Sequence, residues 1–241
     1  MLLLALAIAP GLAIIWYVYH KDSYDKEPAK YLFICFLLGL LCTIPAFIIE
    51  KLANIIFGDL TASSSVSFYL FNAFIVVGCT EELSKFTMLR FYAYPKQSFN
   101  EPFDGIMYSV MVAMGFATLE NIGYVQQHGI STAIIRMFLS VPAHAAFGII
   151  TGYYVGLAKF NKEKAGWLML KGILLAILFH GAFDFFLFLQ DSLVAKPYVR
   201  NGLLLLGAIG CYYMAVRLSL RSIHLHRELS RIDFEKKKQG V

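Results

Sequence analysis

The chain has 241 residues, of which 59% are hydrophobic and 15% are charged, and its formal net charge is +5. Soluble domains have about 45–50% apolar and about 25% charged residues, so this chain has too few polar residues to cover a water-soluble globule. The composition excludes a disordered chain, a collagen-like fibre, a secreted disulfide scaffold and an ordinary cytosolic enzyme, and it predicts a polytopic membrane protein.

Seven stretches of the chain are apolar and long enough to cross the membrane, since a transmembrane helix needs about 20 such residues. In chain order they are residues 2–19, 31–49, 67–92, 104–126, 133–158, 167–189 and 201–220. Asp104 is the predicted N-cap of the fourth stretch. The sequence therefore predicts an all-α fold, a polytopic membrane helix bundle with about seven transmembrane helices. We expect residues 1–220 to form a single integral-membrane domain and residues 221–241 a basic cytoplasmic tail.

The basic residues lie mainly on one side of the predicted bundle. The connections after the first, third, fifth and seventh stretches hold 17 Lys and Arg residues, against 4 in the other connections. By the positive-inside rule the N-terminus is outside and the C-terminus is cytoplasmic. Basic residues that flank hydrophobic segments indicate contact with anionic lipid rather than with nucleic acid.

The third to sixth stretches contain polar and ionisable residues at positions that should lie inside the membrane. Such residues are costly in a bilayer, so they usually face the interior of a bundle and mark a functional site. They are Glu81, Glu82, Lys85, Glu120, Asn121, His144, His180 and Asp184.

Small residues precede or follow these polar positions at helical spacing. His144, Gly148, Gly152 and Gly156 recur every four residues, and Gly172 and Ala176 lead to His180 and Asp184 in the same way. Rows of small residues allow close helix approach, so the polar side chains should face neighbouring helices rather than lipid. The pattern predicts one polar cavity shared by four helices.

The residue types suit acid–base chemistry. Glu81 and Lys85 can pair along the helix, whereas Glu82 is rotated by about 100°, so the two glutamates should not share the lysine equally. Two adjacent carboxylates in a low dielectric repel each other, which raises the proton affinity of one of them. A carboxylate of this kind suits a general base that takes a proton from water. Asp184, one turn after His180, can orient the imidazole, and histidines can donate to a developing oxyanion.

The residues alone also allow other functions. Any one of these side chains, Lys85 and Asn121 above all, can be a polar contact between helices. Chains of buried Glu and His also build proton relays, so an ion- or proton-coupled transporter is an alternative. The absence of an inverted repeat in the sequence disfavours transport. A scaffold that binds a membrane protein without cleaving it is a third alternative.

Four motifs together resemble the PrsW family of bacterial membrane proteases. They are Glu81-Glu82-Leu83-Ser84-Lys85, Gly115-Phe116-Ala117-Thr118-Leu119-Glu120-Asn121, Pro142-Ala143-His144 and His180-Gly181-Ala182-Phe183-Asp184. The order, the spacing and the seven-span setting match, over roughly residues 10–190. The family is related to the CAAX prenyl endopeptidases and bacteriocin-processing membrane proteases, which have an arginine, a histidine and an asparagine where this chain has Lys85, Glu120 and Asp184.

The resemblance implies a membrane-embedded endopeptidase in a bacterial cell membrane, which makes residues 1–220 a protease domain. It implies that the substrate is a single-span membrane anti-sigma factor, whose first (site-1) cleavage leads to release of a sigma factor in a stress response. We expect Glu81 to activate water and Glu82 to assist it. His144, His180 and Asp184 would position the scissile carbonyl and stabilise the oxyanion, and Glu120 would assist proton transfer. Lys85, Phe116 and Asn121 are expected to support the site.

Metal dependence is the competing hypothesis. Glu81, Glu120, His144 and His180 are sufficient ligands for Zn²⁺. The H-E-x-x-H motif is absent, and the related group allows a water activated by glutamate without metal, so no cofactor is the favoured prediction and Zn²⁺ is the alternative.

Overall fold

The structure is a computed structural model, and it describes residues 1–58, 65–190 and 201–239. Within these residues the regular structure is entirely helical, which confirms the predicted all-α membrane bundle. The helices are α1 (Leu2–Lys21), α2 (Ala29–Phe57), α3 (Val66–Ala93), α4 (Pro102–Phe138), α5 (Ser140–Phe160), α6 (Ala165–Gln190) and α7 (Asn201–Gln239).

Six helical stretches of the described residues are long and apolar enough to cross a membrane, close to the seven predicted. One of them, Pro102–Phe160, contains both α4 and α5 in 59 residues. These two helices run antiparallel, because Gly105 packs against Gly152 near one end while Glu120 meets His144 near the other. The pair therefore accounts for two of the predicted spans.

Helix α4 bends at Gly129, whose φ of +80° lies in the left-handed region that glycine adopts without strain. After this bend the chain folds back, so that Arg136 returns to Glu120 and Asn121. Residues 130–138 therefore cover the end of α4 instead of extending it.

The centre of the bundle is the first half of α4, which is buried on all sides from Phe103 to Thr118. A helix that is apolar all round belongs in the interior, and α1, α2, α5 and α7 surround this one. Large apolar side chains are exposed on the outer helices, among them Phe33, Ile55 and Leu174. Exposed apolar surface of this extent suits contact with lipid.

The predicted N-cap of α4 is wrong by three residues. Glu101 is the N-cap, and Asp104 lies in the first turn. One Asp104 oxygen accepts hydrogen bonds from the backbone N–H groups of Asn100 and Glu101, both at 2.8 Å. This is a capping box, in which two side chains satisfy the free N–H groups reciprocally.

Helix α7 continues without a break past residue 220 and packs against the bundle as far as Ser230. The hydroxyl of Ser230 accepts a hydrogen bond from the backbone N–H of Phe103 at 3.3 Å, and His226 is fully buried beside Gly156. The proposed division between residues 220 and 221 stays a prediction, as does the side of the membrane on which each terminus lies.

Candidate active site

The two adjacent glutamates lie on a short α-helical segment of α3, Thr80–Met88. π-Helical segments, Asn72–Cys79 and Leu89–Ala93, precede and follow it. π-Helical insertions widen a helix locally and are frequent at functional sites. Glu81 and Glu82 therefore lie between two such segments.

Two glycines bring α3 and α6 into close contact next to the glutamates. A Cβ atom on Gly78 would lie 3.3 Å from the backbone nitrogen of Gly181, and one on Gly181 would lie 2.5 Å from the Phe74 ring. Side chains at either position would push the helices apart. Because His180 is next to Gly181 in the chain, this helix contact places the imidazole of His180 beside the glutamates.

Lys85 bonds to both glutamates, and its two contacts differ in length, as expected from the helical angle between them. Its Nζ lies 3.1 Å from Glu81 Oε2 and 2.8 Å from Glu82 Oε1. Residues three and four apart on a helix are both neighbours, and the flexible lysine stem reaches between them. All three side chains are buried, with 3–5% of each residue exposed.

His180 is held between two carboxylates. Its Nδ1 lies 2.8 Å from Glu82 Oε1, and its Nε2 lies 3.2 Å from Asp184 Oδ2, one turn further along α6. The Phe147 ring stacks on the imidazole at 4.9 Å between centroids. These contacts fix the ring in position and orientation.

His144 is held in a similar way on α5. Its Nε2 lies 2.8 Å from Glu120 Oε2, and its Nδ1 lies 3.2 Å from Lys85 Nζ. An ammonium group has no acceptor, so Nδ1 accepts from Lys85 and Nε2 donates to Glu120. The glycine row of α5 makes this contact possible, since a Cβ on Gly148 would lie 2.7 Å from the Cβ of Ala113 on α4.

Arg136 completes the cluster, and the sequence analysis missed it as a site residue. Its Nη2 lies 2.9 Å from Glu120 Oε2, and its Nε donates to Asn121 Oδ1 at 2.8 Å. Asn121 in turn donates to the backbone carbonyl of Ala7 on α1. The only signal in the sequence was the position of this arginine, three residues inside the predicted stretch 133–158. By the positive-inside rule it was counted with the basic residues of a connection between stretches.

A cavity of about 660 Å³ opens beside this cluster. The predicted site residues that line it are Glu81, Phe116, Glu120, His144, His180 and Asp184. Glu82, Lys85 and Asn121 are buried without lining it. Glu50 of α2 also lines the cavity, and it was missed because it directly follows the predicted stretch 31–49.

Four side chains beside the cavity form a donor set of the kind that binds a metal ion. One donor atom from each of Glu81, Glu82, His144 and His180 lies within 4.8 Å of the others. The group differs from the predicted ligand set in one member, since Glu82 replaces Glu120. Imidazole and carboxylate groups are zinc ligands, and metal-binding histidines usually donate their second nitrogen to a carboxylate. Here Glu120 and Asp184 lie on the Nε2 atoms of the two histidines.

Comparison with known proteins gives a consistent result. Residues 27–216 match the model of the PrsW family of intramembrane metalloproteases. The chain is 37% identical over 189 residues to a Protease PrsW of Geobacillus kaustophilus, covering 78% of this chain and 81% of the relative. It is 37% identical over 187 residues to that of Bacillus subtilis, covering 77% and 82% of the two chains. It is 34% identical over 194 residues to that of Clostridioides difficile, covering 78% and 80%. No solved structure matches the chain.

Proposed function

Because the chain belongs to the PrsW family and is therefore a multi-pass membrane endopeptidase, we propose that it makes the first cut in a single-span, membrane-anchored anti-sigma factor. This cut would lead to the release of a sigma factor in a stress response. The bond would be broken by a water molecule that Glu81 activates.

The observation that carries the proposal is the position of Glu81 in the cavity. Its carboxylate lines the open space, together with His144 and His180, whereas Glu82 is buried behind it. A general base must reach the proton that it removes, so of the two adjacent glutamates Glu81 is the one that can contact a substrate water. Glu82 instead holds His180 and Lys85.

The chemistry follows from these contacts. Glu81 accepts a proton from water, and the oxygen of that water attacks the carbonyl carbon of the scissile peptide bond. His180 lines the cavity where the resulting oxyanion would form, and a hydrogen-bond donor at such a position lowers the barrier. His144, whose one N–H donates to Glu120, would help to position the scissile carbonyl. When the carbon–nitrogen bond breaks, the proton passes to the leaving amine from Glu81, assisted by Glu120. Asp184 acts by orienting His180.

The predicted positive-inside orientation would put this site in the outer half of the membrane. Counted from the ends predicted to be cytoplasmic, Glu81 lies 12 residues from Ala93, His180 lies 15 from Ala165 and Glu120 lies 18 from Pro102. At 1.5 Å per residue these are depths of roughly 18 to 27 Å. Since the hydrocarbon is about 30 Å thick, we expect the cut near the extracytoplasmic end of the substrate's transmembrane helix.

A metal-dependent reaction is the second candidate, and the clustering of Glu81, Glu82, His144 and His180 favours it. A Zn²⁺ ion held by these residues would supply Lewis-acid polarisation of the scissile carbonyl. Glu120 and Asp184 would then orient the two histidines. Membership of a protease family leaves the transporter and scaffold hypotheses without support.

Co-expression with tagged candidate single-span anti-sigma factors tests the proposal. The wild-type chain should yield a shortened fragment, and mass spectrometry should place the new terminus near the extracytoplasmic end of the transmembrane segment. Glu81→Gln and His180→Gln should abolish the fragment at unchanged protein level. Glu228→Gln, which removes an exposed carboxylate on α7, is the matched control and should cleave normally. Full cleavage by both active-site variants would reject the assignment.

A further inference from the structure

The ammonium group of Lys85 lies among the atoms that would bind a metal. Its Nζ is 3.1 Å from Glu81 Oε2, 2.8 Å from Glu82 Oε1 and 3.2 Å from His144 Nδ1. Three of the four residues that can bind a metal ion therefore already bind a positive charge, the ammonium group of Lys85.

A divalent ion and this ammonium group exclude each other. An ion bound to the same three side chains would lie within a few ångströms of Nζ, where two positive charges repel strongly because the site is buried. The lone pair of His144 Nδ1 also serves only one partner at a time. Lysine and metal thus compete for the same charges and for the same nitrogen.

The structure also offers Lys85 a second partner. Nζ lies 4.3 Å from the centroid of the Phe116 ring, a distance at which an aromatic face attracts a cation. The lysine side chain has four rotatable bonds, so Nζ can leave the carboxylates while remaining near this ring.

We propose that Lys85 competes with a divalent metal ion for Glu81, Glu82 and His144, and that metal binding requires the ammonium group to leave these three side chains. Lys85 thereby sets the metal affinity of the site. The proposal rests on the proposed function only in that it concerns the same cluster, and metal binding is measured without substrate or cleavage.

Titration of the purified chain in detergent with Zn²⁺, with the heat of binding measured by calorimetry, tests the competition. Lys85→Gln removes the charge and should bind Zn²⁺ at least about tenfold more tightly than the wild type. Lys85→Arg keeps the charge and should not gain affinity. Lys171→Gln makes the same change of net charge at an exposed position of α6 and should match the wild type. Adding His180→Ala to Lys85→Gln should remove the gain.

Unchanged or weaker Zn²⁺ binding by Lys85→Gln would overturn the proposal, and so would an equal gain in Lys85→Arg. If Lys85→Gln does not fold, Lys85→Met takes its place, because its apolar side chain can pack on Phe116. Independently, an experimental structure of the wild-type chain at saturating Zn²⁺ should show Nζ away from Glu82. Nζ still hydrogen-bonded to Glu82 beside a bound ion would also overturn the proposal. Failure of Glu81→Gln to abolish proteolysis would reject the proposed function and leave this result unaffected.

Discussion

Nε2 of His144 lies 2.8 Å from Oε2 of Glu120, on the opposite side of the imidazole from Lys85. A carboxylate in this position fixes the tautomer of the histidine, so that Nδ1 presents its lone pair to the centre of the cluster. Glu120 therefore acts on the site through His144, whichever of the two proposed mechanisms operates.

Replacement of Glu120 by glutamine should lower the cleavage rate about 10- to 100-fold, as is typical when the carboxylate partner of a functional histidine is lost. The reason is that an amide can donate as well as accept, so it no longer specifies one tautomer of His144. Cleavage of a fixed substrate by equal amounts of purified variant and wild type measures the effect. Wild-type turnover by Glu120→Gln would show that His144 does not depend on this contact.

Replacement of Arg136 by methionine should destabilise the chain. Glu120 and Arg136 form a largely buried ion pair at 2.9 Å, and removal of one partner from such a pair costs about 3–5 kcal/mol. Because Glu120 borders the cavity, we expect a value near about 3 kcal/mol, which lowers the melting temperature in detergent by roughly 6–12 °C.

The double variant Arg136→Met/Glu120→Gln separates stability from activity. It no longer buries an unpaired charge, so it should recover most of the lost melting temperature while remaining impaired in cleavage. If the double variant melts as low as Arg136→Met, the cost does not come from the unpaired Glu120 carboxylate.

Replacement of Gly115 by alanine should also destabilise the chain, because α2 and α4 touch at this residue. A Cβ on Gly115 would lie 2.1 Å from the backbone oxygen of Phe36, so the two helices must separate. Overpacking of this kind costs about 1–3 kcal/mol, which thermal unfolding in detergent will detect. Gly210→Ala is the control, since a Cβ there would meet nothing within 4 Å. Equal melting temperatures for the two variants would refute the close contact.

The contributions of Asp22 and Glu101 to the stability of the chain should fall as the pH rises from about 4 to about 8. Burial, together with the nearby Glu27, raises the pKa of Asp22 from 3.8 to about 6, and burial raises that of Glu101 from 4.5 to about 8. A carboxyl group whose folded-state pKa is raised favours the folded state at low pH, and this contribution is lost as the pH passes the folded pKa. For Asp22 the loss amounts to about 3 kcal/mol above pH 6.

Melting temperatures measured across this pH range test the effect of Asp22. Between about pH 4 and pH 6, the melting temperature of Asp22→Asn should fall less, or rise more, with pH than that of the wild type, because an amide does not titrate. Asp25→Asn, which changes an exposed carboxylate three residues away, should keep the wild-type slope. An unchanged slope in Asp22→Asn would contradict the assigned shift.

The sequence predicted much of the fold and of the cluster because the membrane makes polar residues conspicuous. Apolar stretches of sufficient length predicted the helices, and the small-residue row that begins at His144 predicted that this side chain faces a neighbouring helix, which is α4 in the structure. The fourfold spacing of His180 and Asp184 likewise predicted their pairing within α6, which the structure places at 3.2 Å.

Other features depend on tertiary geometry that the residue pattern does not contain. Arg136 reaches Glu120 only because Gly129 turns the chain back, and a lone glycine in an apolar stretch does not predict that turn. That the shorter contact of Lys85 is with Glu82 and not with Glu81 depends on side-chain rotamers rather than on helical angle. Glu82 joins His180 rather than remaining a neighbour of Glu81 alone, because the Gly78–Gly181 contact sets the distance between α3 and α6.

The most direct measurement is cleavage by the purified chain in proteoliposomes of a single-span anti-sigma factor that is processed on co-expression. The wild-type chain should cut this substrate at one position near the extracytoplasmic end of its transmembrane helix. Glu81→Gln, folded and reconstituted to the same level, should leave the substrate intact. Cleavage at the same position and rate by Glu81→Gln would contradict the claim that Glu81 activates the attacking water.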